Sequence, residues 1–358
     1  MKGNVFEIPI EDQKNMIFEA VKESFAYQYE NCKDYRRYCD ASFFVPDDIK
    51  SVADIKKIPL VTTDVFKTRD IYTGKSSEGM NRCLSSGTQG TRSVIYRDQS
   101  TLNKFIDSAL LLMQIFNIHT DKSIKIFALT PTKEENNDLW IANTFSFVSG
   151  VFDVGFYVKK GEVLFHHLYN DLQDSVYSCL PVLVGPPVIL LKFMEYLDEN
   201  RKNLDLYESD GFVVTAGGWK KANDQVVERE IFVEQIVQKF NLKDQYHVRD
   251  IFNMVEMNTP LGNCSEGRYH IPPWMSMFAM SPEGKEVLEG EEGIMCFIDT
   301  SATSYPAYVM TDDFVKMYGY GKCKCGCAAP SFEYSRRINK VEDRGCAKKI
   351  DIEIEKEM

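Results

Sequence analysis

The stretch whose residue types most directly suggest chemistry is Ser85-Ser86-Gly87-Thr88-Gln89-Gly90-Thr91-Arg92-Ser93. Its glycines let the backbone turn where a side chain would block it. The hydroxyls among them add O–H donors to the loop's N–H groups, so the segment can wrap phosphate oxygens. The common P-loop, Gly-x-x-x-x-Gly-Lys-Ser/Thr, is excluded, because the glycine spacing differs and no lysine stands in the required place. Taken alone, a Ser/Gly/Thr cluster is also the ordinary composition of a solvated turn. Further residues must decide between the two.

A second set is Cys264 and His270, with Cys323 and Cys325 farther along the chain. Three soft thiolates and one imidazole make a complete tetrahedral zinc set, and a closed four-ligand site is structural rather than catalytic. Cys327 could replace one ligand, and buried free cysteines with a hydrogen-bonded His270 would also account for these residues one by one. Near the end stands Arg344-Gly345-Cys346, followed by Lys348 and Lys349, whose cations favour the thiolate over the thiol. An inert terminal cysteine is the alternative. His166 and His167 are read as neighbours in a strand, pointing to opposite faces, and so form no ligand pair. No Gly-x-Ser-x-Gly or His-Glu-x-x-His is present, which argues against a serine hydrolase or a zinc protease.

The elements that would position these groups alternate between helix and strand, which implies an α/β layered fold. Residues 11–40 read as amphipathic helix, with Ile17, Ala20, Val21, Ser24 and Phe25 near one face; 46–67 read as a connector towards the loop. Helices are expected at Leu102–Phe116, Leu139–Val148 and Val188–Leu197, and strands at Ile124–Leu129, Pro181–Val184 and Gly211–Thr215. A long helix is expected over Asp224–Phe240, capped by Asn223 or Asp224. Its buried face would be Val226, Val233, Ile236, Val237 and Phe240. From about residue 260 glycines, prolines and short strands dominate, including Gly293–Ile298 and Ala307–Thr311, so a β-rich subdomain follows. Ile350–Met358 reads as an edge strand or a frayed tail.

With 358 residues, 44% of them hydrophobic, the chain can bury a large core. A formal charge of -11 argues against nucleic acid or an anionic membrane surface as a main partner. No apolar run has signal-peptide or membrane-spanning character, so a cytoplasmic protein is expected. Ten cysteines spread over such a length do not form a compact disulfide framework, and in a reducing compartment clustered thiols bind metal or do chemistry.

The loop is followed in order by Ala216-Gly217-Gly218-Trp219-Lys220, Phe252-Asn253-Met254-Val255-Glu256, Met310-Thr311-Asp312-Asp313 and Arg336-Arg337. This series resembles the adenylate-forming superfamily, most closely its acyl-protein synthetase (LuxE-type) branch, which is related to phenylacetate-CoA ligases. The resemblance runs from about residue 80 to the end. It implies a layered, acyl-CoA synthetase-like large domain with a β-rich subdomain. The partition would be a helical cap and connector at 1–80, an α/β nucleotide- and acyl-binding core at 81–260, and the β-rich part with a short tail at 261–358. Only 21 residues follow Arg337, so the usual full C-terminal domain with its catalytic lysine is expected to be missing.

Position by position, the resemblance implies that Ser85, Ser86, Gly87, Thr88 and Gly90 hold the phosphates of ATP and that Glu256 binds Mg²⁺. Asp313 would accept both ribose hydroxyls, with Asp312 as its competitor. Arg337 would contact ribose or phosphate, with Arg336 as the alternative, and Gly217 and Gly218 would let adenine or an acyl chain pack on backbone. Phenylacetate-CoA ligase relatives carry a similar Cys, His and Cys-x-Cys-Gly arrangement, consistent with structural Zn²⁺ on Cys264, His270, Cys323 and Cys325. Cys346 matches the position of an acyl-accepting cysteine. The implied activity is activation of a carboxylic acid, by family inference a fatty acid, as acyl-adenylate, with transfer to a thiol. That thiol is Cys346 or one on a reductase, a carrier protein or coenzyme A. An ordinary thioester ligase and a non-catalytic nucleotide-binding subunit are the competing readings.

Overall fold

Val182, Leu183, Val184, Val213 and Val214 stand in apolar runs without alternation, the pattern of strands covered on both faces. In the computed structural model, which describes residues 4–86, 91–217 and 227–337, these runs are neighbouring strands of one parallel sheet. Contacts gather the chain into two compact units, one joining the residues up to Ile115 with those from Met254 onward, the other being Phe116–Asn253. The resemblance implied a partition at 80 and 260 instead. The contact partition differs because the N-terminal helices share a core with the C-terminal strands.

In the Phe116–Asn253 unit the strand order is Val248–Phe252, Phe212–Ala216, Leu180–Gly185, Ile124–Ala128 and Asp153–Phe156, all parallel. The register sets Phe127, Leu183, Val213 and Val248 in one row across four strands. Against that row pack Leu168 and Leu172, Leu190 and Phe193, and Phe232 and Ile236, from the helices Phe165–Ser175, Pro187–Glu199 and Arg229–Lys239. Each such side chain contributes roughly 1.5–3 kcal/mol by leaving water, so this layer holds the helices on the sheet. Gly185 is required here: a Cβ would lie 2.6 Å from Leu129 Cβ.

The strands expected at 124–129, 181–184, 211–215 and 293–298 are present with ends shifted by one residue, that expected at 307–311 runs on to Tyr318, Ile350–Met358 lies outside the described residues, and the helix at Trp140–Val148 matches. Three details differ. The helix expected over Leu102–Phe116 starts earlier, at Gln99, where the Asp98 carboxylate accepts from Thr101 N–H at 2.7 Å, and it breaks at Leu111 before the short helix Leu112–Ile115. The helix expected from Asp224 begins at Arg229, after Glu228 with no side-chain cap bond, and buries Phe232, Ile236 and Phe240 while Val233 and Val237 are only partly covered. Asn223, Asp224 and Val226 lie outside the described residues. His166 and His167 sit on the helix Phe165–Ser175 rather than in a strand, with their rings edge to face.

In the other unit an antiparallel sheet runs Tyr269–His270, Ser331–Arg337, Tyr308–Tyr318, Glu292–Asp299, Met275–Met280, and Val61–Thr62 adds on parallel to Val309–Met310. The helices Ile10–Asn31 and Lys33–Ala41 pack on it through aromatics: Tyr35 stacks on Tyr308 at 5.1 Å and Phe25 meets Tyr308 edge-on at 6.0 Å. Gln28, fully buried, donates to the carbonyls of Ala302, Thr303 and Tyr305, satisfying a turn that no strand pairs. Among the described residues no helix is long and apolar enough to cross a membrane.

The helix Lys33–Ala41 ends in a Schellman pair, Phe44 N–H to the Cys39 carbonyl and Phe43 N–H to the Asp40 carbonyl, both 3.1 Å. The left-handed position is taken by Phe43, with φ 52° and a side chain 93% exposed, where glycine is the favoured residue. A left-handed L-residue costs roughly 1–2 kcal/mol, and an exposed ring offsets none of it. Phe43→Gly is therefore expected to raise the unfolding free energy by about 1 kcal/mol in urea titration, after the glycine's larger unfolded-state entropy is subtracted. A loss of stability would mean that the ring is held by contacts.

Candidate functional site

The strands Asn81–Leu84 and Val94–Arg97 form a hairpin whose tip is the serine-glycine loop. Its neck is closed from both sides: Ser85 N–H donates to the Ser93 carbonyl at 3.1 Å, and Ser93 N–H donates to Ser85 Oγ at 3.0 Å. The loop is thus anchored where the turn must begin. Gly87, Thr88 and Gly90 lie outside the described residues; Ser85 and Ser86 are half-buried.

Glu256 follows the strand Val248–Phe252 and is 4% exposed. Burial pushes its carboxyl above the ordinary glutamate range, partly offset by a hydrogen bond from Ser93 and by the charges of Lys67 and Arg337. Ser93 therefore links the neck of the loop to the acid.

What holds the Glu256 segment is a residue that motif reading passed over. Arg97, fully buried at the end of the hairpin, donates from Nη2 to the carbonyls of Val255 (2.6 Å) and Met257 (3.2 Å) and to Tyr305 Oη (3.2 Å), and from Nε to Asn258 Oδ1 (3.1 Å). Below it Asp299 accepts from the N–H groups of Asn258 (2.9 Å) and Thr259 (2.7 Å). The available signal was an arginine closing the run Val-Ile-Tyr-Arg, where a strand facing the core calls for an apolar residue.

Asp312 and Asp313 are both buried, and neighbours in a strand point to opposite faces. The Asp312 carboxylate takes Thr63 Oγ1 at 3.2 Å, Lys67 Nζ at 3.6 Å and Arg337 Nη2 at 3.8 Å. Asp313 instead accepts from Tyr334 Oη at 3.2 Å, its own N–H bonded to Thr311 Oγ1. The two arginines separate as well: Arg336 pairs with Glu292 at 3.0 Å and lies over the Phe314 ring, whereas Arg337 turns towards Asp312 and Glu256. Ser85, Ser93, Glu256, Asp312 and Arg337 thus belong to one polar neighbourhood.

Gly217 ends the strand Phe212–Ala216 in the other unit, at φ +93°, a conformation that an L side chain rarely adopts. Gly218 and Cys346 lie outside the described residues.

Cys264, His270, Cys323 and Cys325 come together with their ligand atoms all within 4.8 Å of one another. His270 is carried by the short strand Tyr269–His270, paired with Ser331 and Phe332, and Cys323 and Cys325 by the turn ahead of that partner strand. Cys264 Sγ is 3.6 Å from Cys323 Sγ, and Cys325 Sγ is 3.3 Å from His270 Nε2. Cys327 stands apart, with its thiol donating to the Phe6 carbonyl at 3.5 Å. Crowding by Cys325 and burial push the Cys264 thiol up to about 11 when no cation is present.

Comparison with known proteins adds the family. The family model for acyl-protein synthetase, LuxE, matches residues 1–354. The chain is 30% identical over 349 residues to the long-chain-fatty-acid–luciferin-component ligase of Aliivibrio fischeri, covering 95% of this chain and 89% of that protein. It is 29% identical over 306 residues to the ligase of the same description from Vibrio harveyi, covering 85% and 80%. In structure it is similar to an open conformation of 2-hydroxyisobutyryl-CoA ligase in complex with 2-HIB-AMP and CoA, with a TM-score of 0.72 at 13% identity, over 94% of this chain and 72% of that one. A long-chain-fatty-acid-CoA ligase from Archaeoglobus fulgidus matches with a TM-score of 0.51 at 14% identity, over 82% and 57%. The fold is therefore that of adenylate-forming ligases, and the chain belongs to the acyl-protein synthetase (LuxE) family.

Proposed function

We propose that this chain is an ATP-dependent ligase that activates a long-chain fatty acid as its acyl-adenylate and passes the acyl group to a thiol. The observation that carries the reading is a buried carboxylate, Glu256, tied through Ser93 to the neck of a serine-glycine loop in a chain of this family. A carboxylate oxygen of the acid attacks the α-phosphorus, the bond to the bridging oxygen breaks and pyrophosphate leaves; a thiolate then attacks the acyl carbon and AMP departs. Loop donors from Ser85, Ser86, Gly87, Thr88 and Gly90 would hold the phosphates. Asp313 would accept the ribose hydroxyls in place of its bond from Tyr334, with Asp312, which pairs with Lys67 and Arg337, as its competitor. Arg337 would face ribose or phosphate, and Gly217 and Gly218 would receive adenine or the acyl chain. Glu256 fits Mg²⁺, which takes hard oxygen ligands and, when bound, neutralises phosphate charge.

ATP–pyrophosphate exchange across a panel of carboxylic acids tests the reading. Exchange should be fastest with long-chain fatty acids, and its absence with all of them, from folded protein and Mg²⁺, would overturn it. The proposed first acyl acceptor is Cys346, with a reductase, carrier protein or coenzyme A as the next. Cys346→Ser should lose covalent acyl label while keeping exchange; label retained on that variant removes the self-acylation step.

The cluster at Cys264, His270, Cys323 and Cys325 is proposed to hold a structural Zn²⁺. A tetrahedral site with Zn–S near 2.3 Å has S–S edges of about 3.8 Å and S–N edges of about 3.6 Å, close to the separations described above. One zinc per chain is expected by elemental analysis, and Cys323→Ser should both lose the metal and melt at lower temperature. No disulfide joins the described cysteines, which suits the proposed cytoplasmic location.

A further inference from the structure

The short helix Val65–Thr68 belongs to none of the motifs above, yet it delivers a side chain to the same neighbourhood. Buried Val65 and Phe66 fix its orientation, Phe66 edge-on to Tyr305 at 6.3 Å, and the strand before it pairs with Val309 and Met310, just ahead of Asp312. Lys67 Nζ is 2.6 Å from Asp64 Oδ1 and 3.6 Å from Asp312 Oδ2. Its charge also acts on Glu256, together with that of Arg337. A lysine needed only for a surface pair would be served by Asp64, one turn away on its own segment. Reaching in to a carboxylate that is 9% exposed is a different arrangement.

Asp64, Glu256 and Asp312 present three carboxylates to two cations, Lys67 and Arg337. That negative balance draws a divalent cation but repels an incoming triphosphate, which needs a mobile positive group on its oxygens. Lysine suits this better than arginine, being a compact point charge on a flexible stem. We propose that Lys67 is a further substrate-contacting residue of the adenylation site, holding Asp312 before nucleotide binds and donating to an α-phosphate oxygen afterwards. The inference rests on the adenylation reading above. During the step the acid oxygen bonds to the α-phosphorus and pyrophosphate leaves with the electron pair of the broken bond. Lys67 keeps its proton throughout, and its N–H bonds strengthen as charge gathers on the non-bridging oxygens.

Lys67→Met should lower kcat for ATP–pyrophosphate exchange about 100-fold or more with the KM of the acid unchanged, and Lys67→Arg, which keeps the charge but not the compact donor, should recover only part of the loss. Exchange by Lys67→Met within threefold of the parent overturns the proposal. A measurement on the unaltered protein guards against misfolding: trace acetylation read by peptide mass spectrometry, with and without a non-hydrolysable ATP analogue and Mg²⁺. Lys67 should be protected about tenfold, and Lys57, whose side chain is 66% exposed, not at all. Equal labelling of Lys67 in both conditions overturns the inference. Should the parent itself exchange with no acid, the adenylation reading fails on that control, separately from the result at Lys67.

Discussion

Glu256→Gln is expected to reduce ATP–pyrophosphate exchange by about 10²–10³-fold while leaving the fold intact. Glutamine has the same length and can still accept from Ser93, so the neck of the serine-glycine loop stays tied to the segment. What it lacks is the charge that a divalent cation requires of its ligand. The same substitution should act on stability in the opposite direction. Burial raises the folded-state pKa of Glu256 above its unfolded value, so the native state binds the proton more tightly. The cost of keeping the carboxylate ionised is then absent below the unfolded pKa and present in full above the folded one. Measured without nucleotide or metal, the variant should melt above the parent at neutral pH, with the gain fading as pH falls through the raised folded-state pKa and gone below about 4. An advantage that grows on acidification would mean that the carboxylate is stabilised rather than strained by its surroundings.

How much of this was readable beforehand depends on the range of the interaction. The apolar runs at 180–185 and 212–216 read as buried strands, because burial on both faces is written into consecutive residues. Cys264, His270, Cys323 and Cys325, grouped in the sequence by residue type, come together in the fold. The helix start at Arg229 was not legible, because its buried face is chosen by Leu190 and Phe193 on another helix rather than by its own caps. Nor was the role of the N-terminal segment. Val61 and Thr62 find their partners at Val309 and Met310, about two thirds of the chain away, and that pairing helps carry Lys67 towards Asp312. Asp312 and Asp313 were indistinguishable as letters; their partners differ because a strand sends successive side chains to opposite faces. Arg97 was the furthest from legible, since two of its acceptors are main-chain carbonyls, which no residue type announces, and the others lie far along the chain.

Arg97→Met is for that reason expected to be the most damaging single change outside the acid itself. The methionine fills much of the same volume but withdraws donors from the carbonyls of Val255 and Met257, from Asn258 and from Tyr305, all in a buried setting. Leaving such acceptors without their cation should cost about 3–5 kcal/mol in urea unfolding. Arg97→Lys should recover little, because one ammonium cannot reproduce a planar fork directed at several acceptors. The damage has a functional signature as well, since the segment that relaxes carries Glu256. Under conditions where Arg97→Met remains folded, exchange should require more Mg²⁺ than in the parent, whereas the KM of the acid should move little. A variant that loses stability but keeps its Mg²⁺ dependence would mean that Asp299, bonded to the N–H groups of Asn258 and Thr259, holds the acid in place without help from the arginine.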